Sequence, residues 1–211
     1  MAESAPQRLP GRPSGSESVL DIRRIVETAW SIVDEAGLSR LSTRTLAAAL
    51  DVKSPALYWH VRSKEELLSL MMEHLLLDSL DGIPQNLDWK EWLKAVARNQ
   101  HRLLLSHRDS GLIASLAPPS DRLRTHVFER MLAPLLESRL PAEIASAAAG
   151  GVASFLLGWI IYEQRPATRK FVEAYHDPDV AFEMLLTSFV NGIAETVAAM
   201  GKDADSGPRE N

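Results

Sequence analysis

At 211 residues, 45% of them apolar and 24% charged, the chain is long and hydrophobic enough to bury a core, which excludes a mini-protein and a disordered segment. It has no cysteine, so thiolate zinc sites, iron–sulfur clusters, thiol nucleophiles and disulfides are excluded for want of the atom. The net charge of −5 speaks against a general nucleic-acid binder, yet residues 18–64 carry +2, residues 1–17 balance, and residues 65–211 carry −7, as a small basic module joined to a larger acidic one would.

The chain reads as all-α, because β-branched residues are scattered and no period-2 run appears. Residues 1–17 are polar and rich in Pro, Gly and Ser, without the apolar segment of a secretory signal, and are expected to form a flexible arm on a cytoplasmic protein. The first helix is expected near Ser18, capped by that hydroxyl, and Ile22, Ile25, Val26, Ala29, Ile32, Val33 and Ala36 carry it to a stop at Gly37. A second, short helix follows Ser42 or Thr43 with Leu46, Ala47 and Leu50 inward. The turn Asp51-Val52-Lys53 leads to a third helix, with Ser54 as its cap and Pro55 in its first turn.

Ser63-Lys-Glu-Glu66 matches a capping box, and Leu67, Leu68, Met71, Leu75 and Leu76 extend a fourth helix toward Leu80. Further helices are predicted at 88–107, 109–117, 120–139, 141–164 and 178–200, between proline-marked spacers, with 201–211 a solvated tail. Ile144 to Tyr162 is uncharged for nearly the ~20 residues that cross a bilayer. Its many Ala, Gly and Ser residues and its lack of basic flanks predict instead a soluble-bundle helix buried on most faces.

Two short helices joined by a three-residue turn and packed on a longer one have the geometry of a helix-turn-helix, whose second helix enters a DNA major groove. Leu57 and Val61, four apart, can pack on Leu46 and Leu50, which leaves Ser54, Ala56, Tyr58, Trp59 and His60 on the outward arc. Tyr58 offers a hydroxyl to phosphate, Arg44 and Lys64 offer charge, and Thr43 at a helix start offers hydroxyl and backbone N–H.

Leu41-Ser-Thr-Arg-Thr-Leu-Ala-Ala-Ala-Leu50, then Ser-Pro-Ala-Leu-Tyr-Trp-His-Val61, then Lys64 with its leucine pair, resemble the TetR family of transcriptional regulators, most closely the tetracycline-repressor branch. The resemblance is strong over residues 18–80 and looser to residue 200. It implies an N-terminal DNA-binding domain (18–64) and a larger helical domain (65–200) that dimerises and binds a small effector, which releases the operator. By position it places Thr43, Arg44, Tyr58, His60 and Lys64 at phosphates, and Ser54, Pro55, Ala56 and Trp59 near bases. Asp51 departs from the family's usual turn glycine, though aspartate tolerates a left-handed conformation better than most residues.

The branch's metal–drug site does not carry over, because Ala114 stands where its histidine follows the Arg-Asp pair, here Arg108-Asp109. His74 and Asp78 lack a third ligand, so no metal or cofactor is expected. The effector is expected to be apolar or aromatic. Its candidate contacts are Trp92, Val96, Asn99 and Leu103 on the fifth helix, Phe128 and Met131 on the seventh, and Phe155, Trp159 and Tyr162 on the eighth, with His101 as a further polar handle.

A homodimer is expected through Ala145, Ala149, Val152 and Leu156 of helix 141–164 and Phe182, Leu185, Phe189 and Ile193 of helix 178–200. Two other readings stand beside this one. An all-α enzyme could use His101, Glu163 or Arg124 in an interior pocket, although phosphate-loop, His-Glu-x-x-His and nucleophile-elbow patterns are missing. An effector-independent DNA-binding protein would need no cavity in its second domain.

Overall fold

A computed structural model describes residues 21–205, with side chains described as far as Met200. Among the described residues there are ten α-helices and no strand. The expected arm 1–17, the Ser18 cap and residues 206–211 of the tail lie outside the described residues.

Helix α1, Ile22–Ala36, starts later than expected because Asp21 is its cap: the backbone there is extended and the carboxylate accepts the Arg24 N–H at 2.7 Å. The helix stops where expected, at Gly37, whose φ of 82° favours a residue without a Cβ. A 3-10 turn, Leu38–Arg40, leads to α2, Thr43–Ala49. Ser42 is the α2 cap, exchanging bonds with Thr45 in a complete capping box.

Helix α3 is Ser54–Tyr58, so Ser54 is its first residue and not its cap; Lys53 occupies the cap position without a side-chain bond. Asp51, in the turn between them, has φ 55°, the left-handed conformation its replacement of glycine requires. Ile25, Ala29, Val33, Leu46, Leu57 and Val61 are buried together as the core of this three-helix head.

Helix α4, Lys64–Asp78, runs from the head into the larger part of the molecule, hereafter the body. Ser63 caps it through the Glu66 N–H, but the Glu66 carboxylate reaches back to the Arg62 N–H at 2.7 Å, so the expected box is displaced by one residue. The body is built from α5 (Trp89–Leu105), α6 (Ser110–Leu116), α7 (Glu129–Glu137), α8 (Ala142–Glu163), α9 (Pro166–Glu173) and α10 (Pro178–Asp205). Three of these differ from expectation. The segment 120–139 is not one α-helix, because Leu123–Phe128 forms a π-helix ahead of α7. The spacer after Pro166 is α9, which Pro166 starts. Helix α10 continues through residues 201–205, expected to be tail.

Helix α4 is buried on several faces and acts as the shared spine. Its Ser69 hydroxyl donates to the Pro118 carbonyl at 2.7 Å, and its buried Glu73 faces Arg122 at 3.3 Å and His126 at 3.7 Å on the π-helical side. Helices α8 and α10 are long and apolar enough to cross a membrane by length and composition alone. In the protomer α8 buries one stripe, Ala145, Ala148, Ala149, Val152, Leu156, Ile160 and Glu163, and not most of its faces as expected.

The turn at Asp51 makes a stability prediction. Asp51→Gly should stabilise the fold by about 0.5 kcal/mol, and Asp51→Val should destabilise it by about 1–2 kcal/mol, since β-branching is poorly tolerated at positive φ. Urea midpoints check this, and a valine variant as stable as the natural chain would contradict the left-handed turn.

Candidate nucleic-acid interface and effector cavity

Helix α3 presents its outer face fully. Ser54, Pro55, Ala56, Tyr58 and Trp59 are exposed, while Leu57 is sealed beneath them. Trp59 is 88% exposed and Tyr58 49%, an expanse of aromatic surface left in water until a partner covers it. Arg44 is exposed on α2 and Thr43 half-buried at its start. His60 is half-buried, less outward than expected. The Lys64 ammonium donates to the Leu38 carbonyl at 3.1 Å, so this lysine also ties α4 to the 3-10 turn. Its remaining donors can still meet an anion.

The head is fastened to the body by a contact that the sequence reading did not find. Asp34, near the end of α1, accepts from His107 Nδ1 and from the Arg108 N–H, each at 2.9 Å. A carboxylate has no proton to give, so the imidazole Nδ1 carries it. In return Asp109, itself left-handed at φ 55°, accepts the Leu38 N–H at 2.8 Å. The His107 ring stacks on Trp30 of α1 with centroids 4.2 Å apart. Two chain segments more than seventy positions apart therefore satisfy each other's backbone donors through their carboxylates. No spacing rule links Asp34 to His107, so only the fold reveals the pair.

The effector candidates separate into groups. Trp92 is buried with its indole N–H on the Met131 carbonyl at 3.0 Å, and Val96 and Met131 are core. Asn99 is spent on the Ser79 carbonyl at 3.0 Å. Leu103 lines a different cleft, between α1, α4 and α5, and Phe128 stands at the surface. Phe155, Trp159 and Tyr162 do come together, on one wall of an apolar cavity of about 780 Å³ between α8 and α10. The opposite wall, Val180, Ala181, Met184 and Leu185, comes from α10, and only packing could assign it there.

His101 is neither solvated nor in the cavity. It lies buried 2.6 Å from the Glu163 carboxylate and stacks on Phe182 at 3.9 Å, behind the aromatic wall. Next to it, Arg98 grips Glu183 with two nitrogens at 2.8 Å, and that hydrogen bonding holds the Glu183 carboxyl below its ordinary range.

The expected dimer set also divides. Ala145, Ala149, Val152, Leu156 and Phe182 are buried inside the protomer, which puts them out of a partner's reach. Leu185 and Phe189 are exposed and Ile193 is half-exposed. Phe189 packs along Gly151, where a Cβ would come within 2.8 Å of its ring. Gly150, Gly158 and Gly192 have no neighbour within 4 Å of a would-be Cβ, so nothing inside the protomer explains a glycine in these helices.

The comparisons with known proteins follow the same division into head and body. Residues 25–71 match the model of bacterial regulatory proteins of the tetR family, and residues 83–190 match the tetracyclin repressor-like C-terminal domain. The class A tetracycline repressor from transposon 1721 of Escherichia coli is 30% identical over 194 residues, covering 81% of this chain and 89% of that one. The TetR family protein ActR of Streptomyces coelicolor, solved with actinorhodin, superposes with a TM-score of 0.68 at 26% identity over 84% of this chain and 96% of that one. BioQ, solved with its double-stranded DNA operator, gives 0.63 at 28% identity over 83% and 99%. With a matching head, a matching body and the reading helix exposed, the chain belongs to the tetR family of bacterial regulatory proteins and is a helix-turn-helix DNA-binding transcriptional regulator.

Proposed function

We propose that this regulator is a homodimeric repressor of the cytoplasm, not an enzyme, that leaves its operator when a small apolar or aromatic molecule enters the cavity between α8 and α10. The head, residues 18–64, reads DNA, and the body, 65–200, dimerises and binds the effector. The observation that carries the reading is the tyrosine–tryptophan face of α3, exposed above a sealed leucine. Ser54, Pro55, Ala56 and Trp59 meet base edges, while Thr43, Arg44, Tyr58, His60 and Lys64 hold phosphates. The tetracycline repressors, the BioQ–operator complex and the ActR–actinorhodin complex support both halves of the proposal by likeness. The cavity favours an effector-responsive protein over one that only binds DNA.

Dimerisation is supported by the bare glycines. A glycine inside a helix costs roughly 0.5–1 kcal/mol against alanine, and a partner helix packed close on α8 and α10 gives Gly150 and Gly192, outside the cavity lining, a use. Phe189 and Ile193 supply large side chains on that face, while Leu185, expected there, lines the cavity.

Two measurements test the reading. A duplex selected from a random pool by the natural chain should lose binding to Tyr58→Ala/Trp59→Ala, and Arg44→Ala should reduce the salt slope by about one unit. Retention of full affinity by the double variant would refute the assignment of α3. In sedimentation the natural chain should be a dimer at micromolar concentration. Gly150→Arg, whose Cβ would have no protomer neighbour within 4 Å, should be a monomer with unchanged helix content. A natural chain that sediments as a monomer would remove the homodimer.

A further inference from the structure

We propose that Gln164 is the positioning residue that couples α8 to the DNA-reading head, because its side-chain amide holds the chain between α5 and α6 in the conformation that fastens the head. The inference rests on the proposed role of the head in operator binding and names the residue through which the body maintains it.

The connection Ser106–Asp109 has left α5 and not yet entered α6. It supplies the His107 ring, the Arg108 N–H and the Asp109 carboxylate, the three groups that meet Asp34 and Leu38 of the head. Asp109 is left-handed, at φ 55°. A segment with so little regular bonding of its own keeps one conformation only where its surroundings impose it.

Gln164, the residue that ends α8, imposes it with both ends of its amide. Nε2 donates to the His107 carbonyl at 2.8 Å and to the Ser110 hydroxyl at 3.0 Å, and shares a proton with the Leu104 carbonyl at 3.3 Å. Oε1 accepts the Gly111 N–H at 3.0 Å. An amide turned over would set its oxygen against two carbonyls and its NH2 against an N–H, so the network fixes its orientation. Buried Ser110, donating to the Leu104 carbonyl at 2.5 Å, closes the same ring of bonds. His107 is thus held twice, its carbonyl by α8 and its imidazole by Asp34 and Trp30 of the head.

A second residue is shaped to this seam. A Cβ on Gly111 would stand 3.0 Å from Ile160, 3.1 Å from Ile161 and 3.3 Å from Gln164 Oε1, so α6 can lie this close to the end of α8 because the residue there is glycine. Glu163, next to Gln164 in the chain, is 2.6 Å from His101, which stacks on Phe182 of α10. The amide of Gln164 therefore stands where the packing of α8 on α10 ends and the fastening of the head begins.

The test removes the amide and reads the head. Gln164→Met keeps the length of the side chain and loses both hydrogen-bonding ends. Followed by hydrogen exchange at single amides, its Leu38 and Arg108 N–H groups should exchange about tenfold faster than in the natural chain, while core amides of the head such as Leu46 keep their rates. Gly111→Ala, which pushes the same seam apart from the α6 side, should give the same pattern. Affinity for a duplex selected by the natural chain should fall about fivefold or more, as for the loss of one net hydrogen bond. Asp34→Ala releases the same connection, so adding it to Gln164→Met should bring little further loss, whereas the losses of Gln164→Met and Arg44→Ala should multiply.

Unchanged exchange at Leu38 and Arg108 in both variants overturns the coupling. Faster exchange of Leu46 by the same factor makes Gln164 a residue of general stability and overturns it too, as do operator losses that multiply with Asp34→Ala. A natural chain that selects no duplex overturns the reading of the head, and with it the operator consequence proposed here, whatever the amides do.

Discussion

The exchange of carboxylates between Asp34 and Asp109 is the constraint on which the rest of this regulator depends. A three-helix head of this size buries too little apolar surface to be rigidly placed by its own core. The exchange orients it without a large interface, because each carboxylate satisfies a backbone N–H of the opposite segment, and these charge-assisted bonds are directional. Gly37 is part of the same device. A Cβ there would stand 3.3 Å from the Arg108 guanidinium and from the Asp109 carboxylate, so its glycine serves the approach of the body as well as its own positive φ.

The second attachment is α4, which is covalent with the head and embedded in the body. Its tethers differ in kind from the exchange at Asp34. Ser69 on the Pro118 carbonyl and Glu73 under Arg122 and His126 bind it to the segment that carries the π-helix. A π-helix holds its backbone in a rare register, and such segments are frequent at functional sites. Helix α5 joins the same two regions, since its His101 stacks on Phe182 behind the cavity wall and its carboxyl end leads to His107, which bonds to Asp34 of the head.

Much of the head was legible from sequence because its determinants are local. Apolar spacing in Ile25, Val26, Ala29 and Val33, the Ser42 and Ser63 caps and the proline at the start of α3 specify helices and their ends within a few residues. The body was legible only as a series of helices. Small residues populate every face of α8, so spacing alone could assign the partner-facing stripe to Ala145 and Ala149 as readily as to Gly150. Trp92 and Phe155 carry the same hydrophobic signal, and the fold sends one into the core and the other to a cavity. Helix α9 escaped because an eight-residue helix with one buried residue, Val172, is too short to display an apolar period beyond its opening proline. The π-helix escaped because its register leaves no mark in residue types.

The proportions of α4 carry a mechanical consequence. With 15 residues it is about 22 Å long, and the recognition helix hangs from its amino end. A tilt of about 10° at the body end therefore sweeps the head through about 4 Å, larger than the displacement that caused it. Two-fold operators present half-sites about 34 Å apart, a spacing fixed by the pitch of DNA. In the proposed dimer the two sweeps are related by the two-fold axis, so a small tilt of α4 would become a larger change in the span between recognition helices, one that the double helix cannot match.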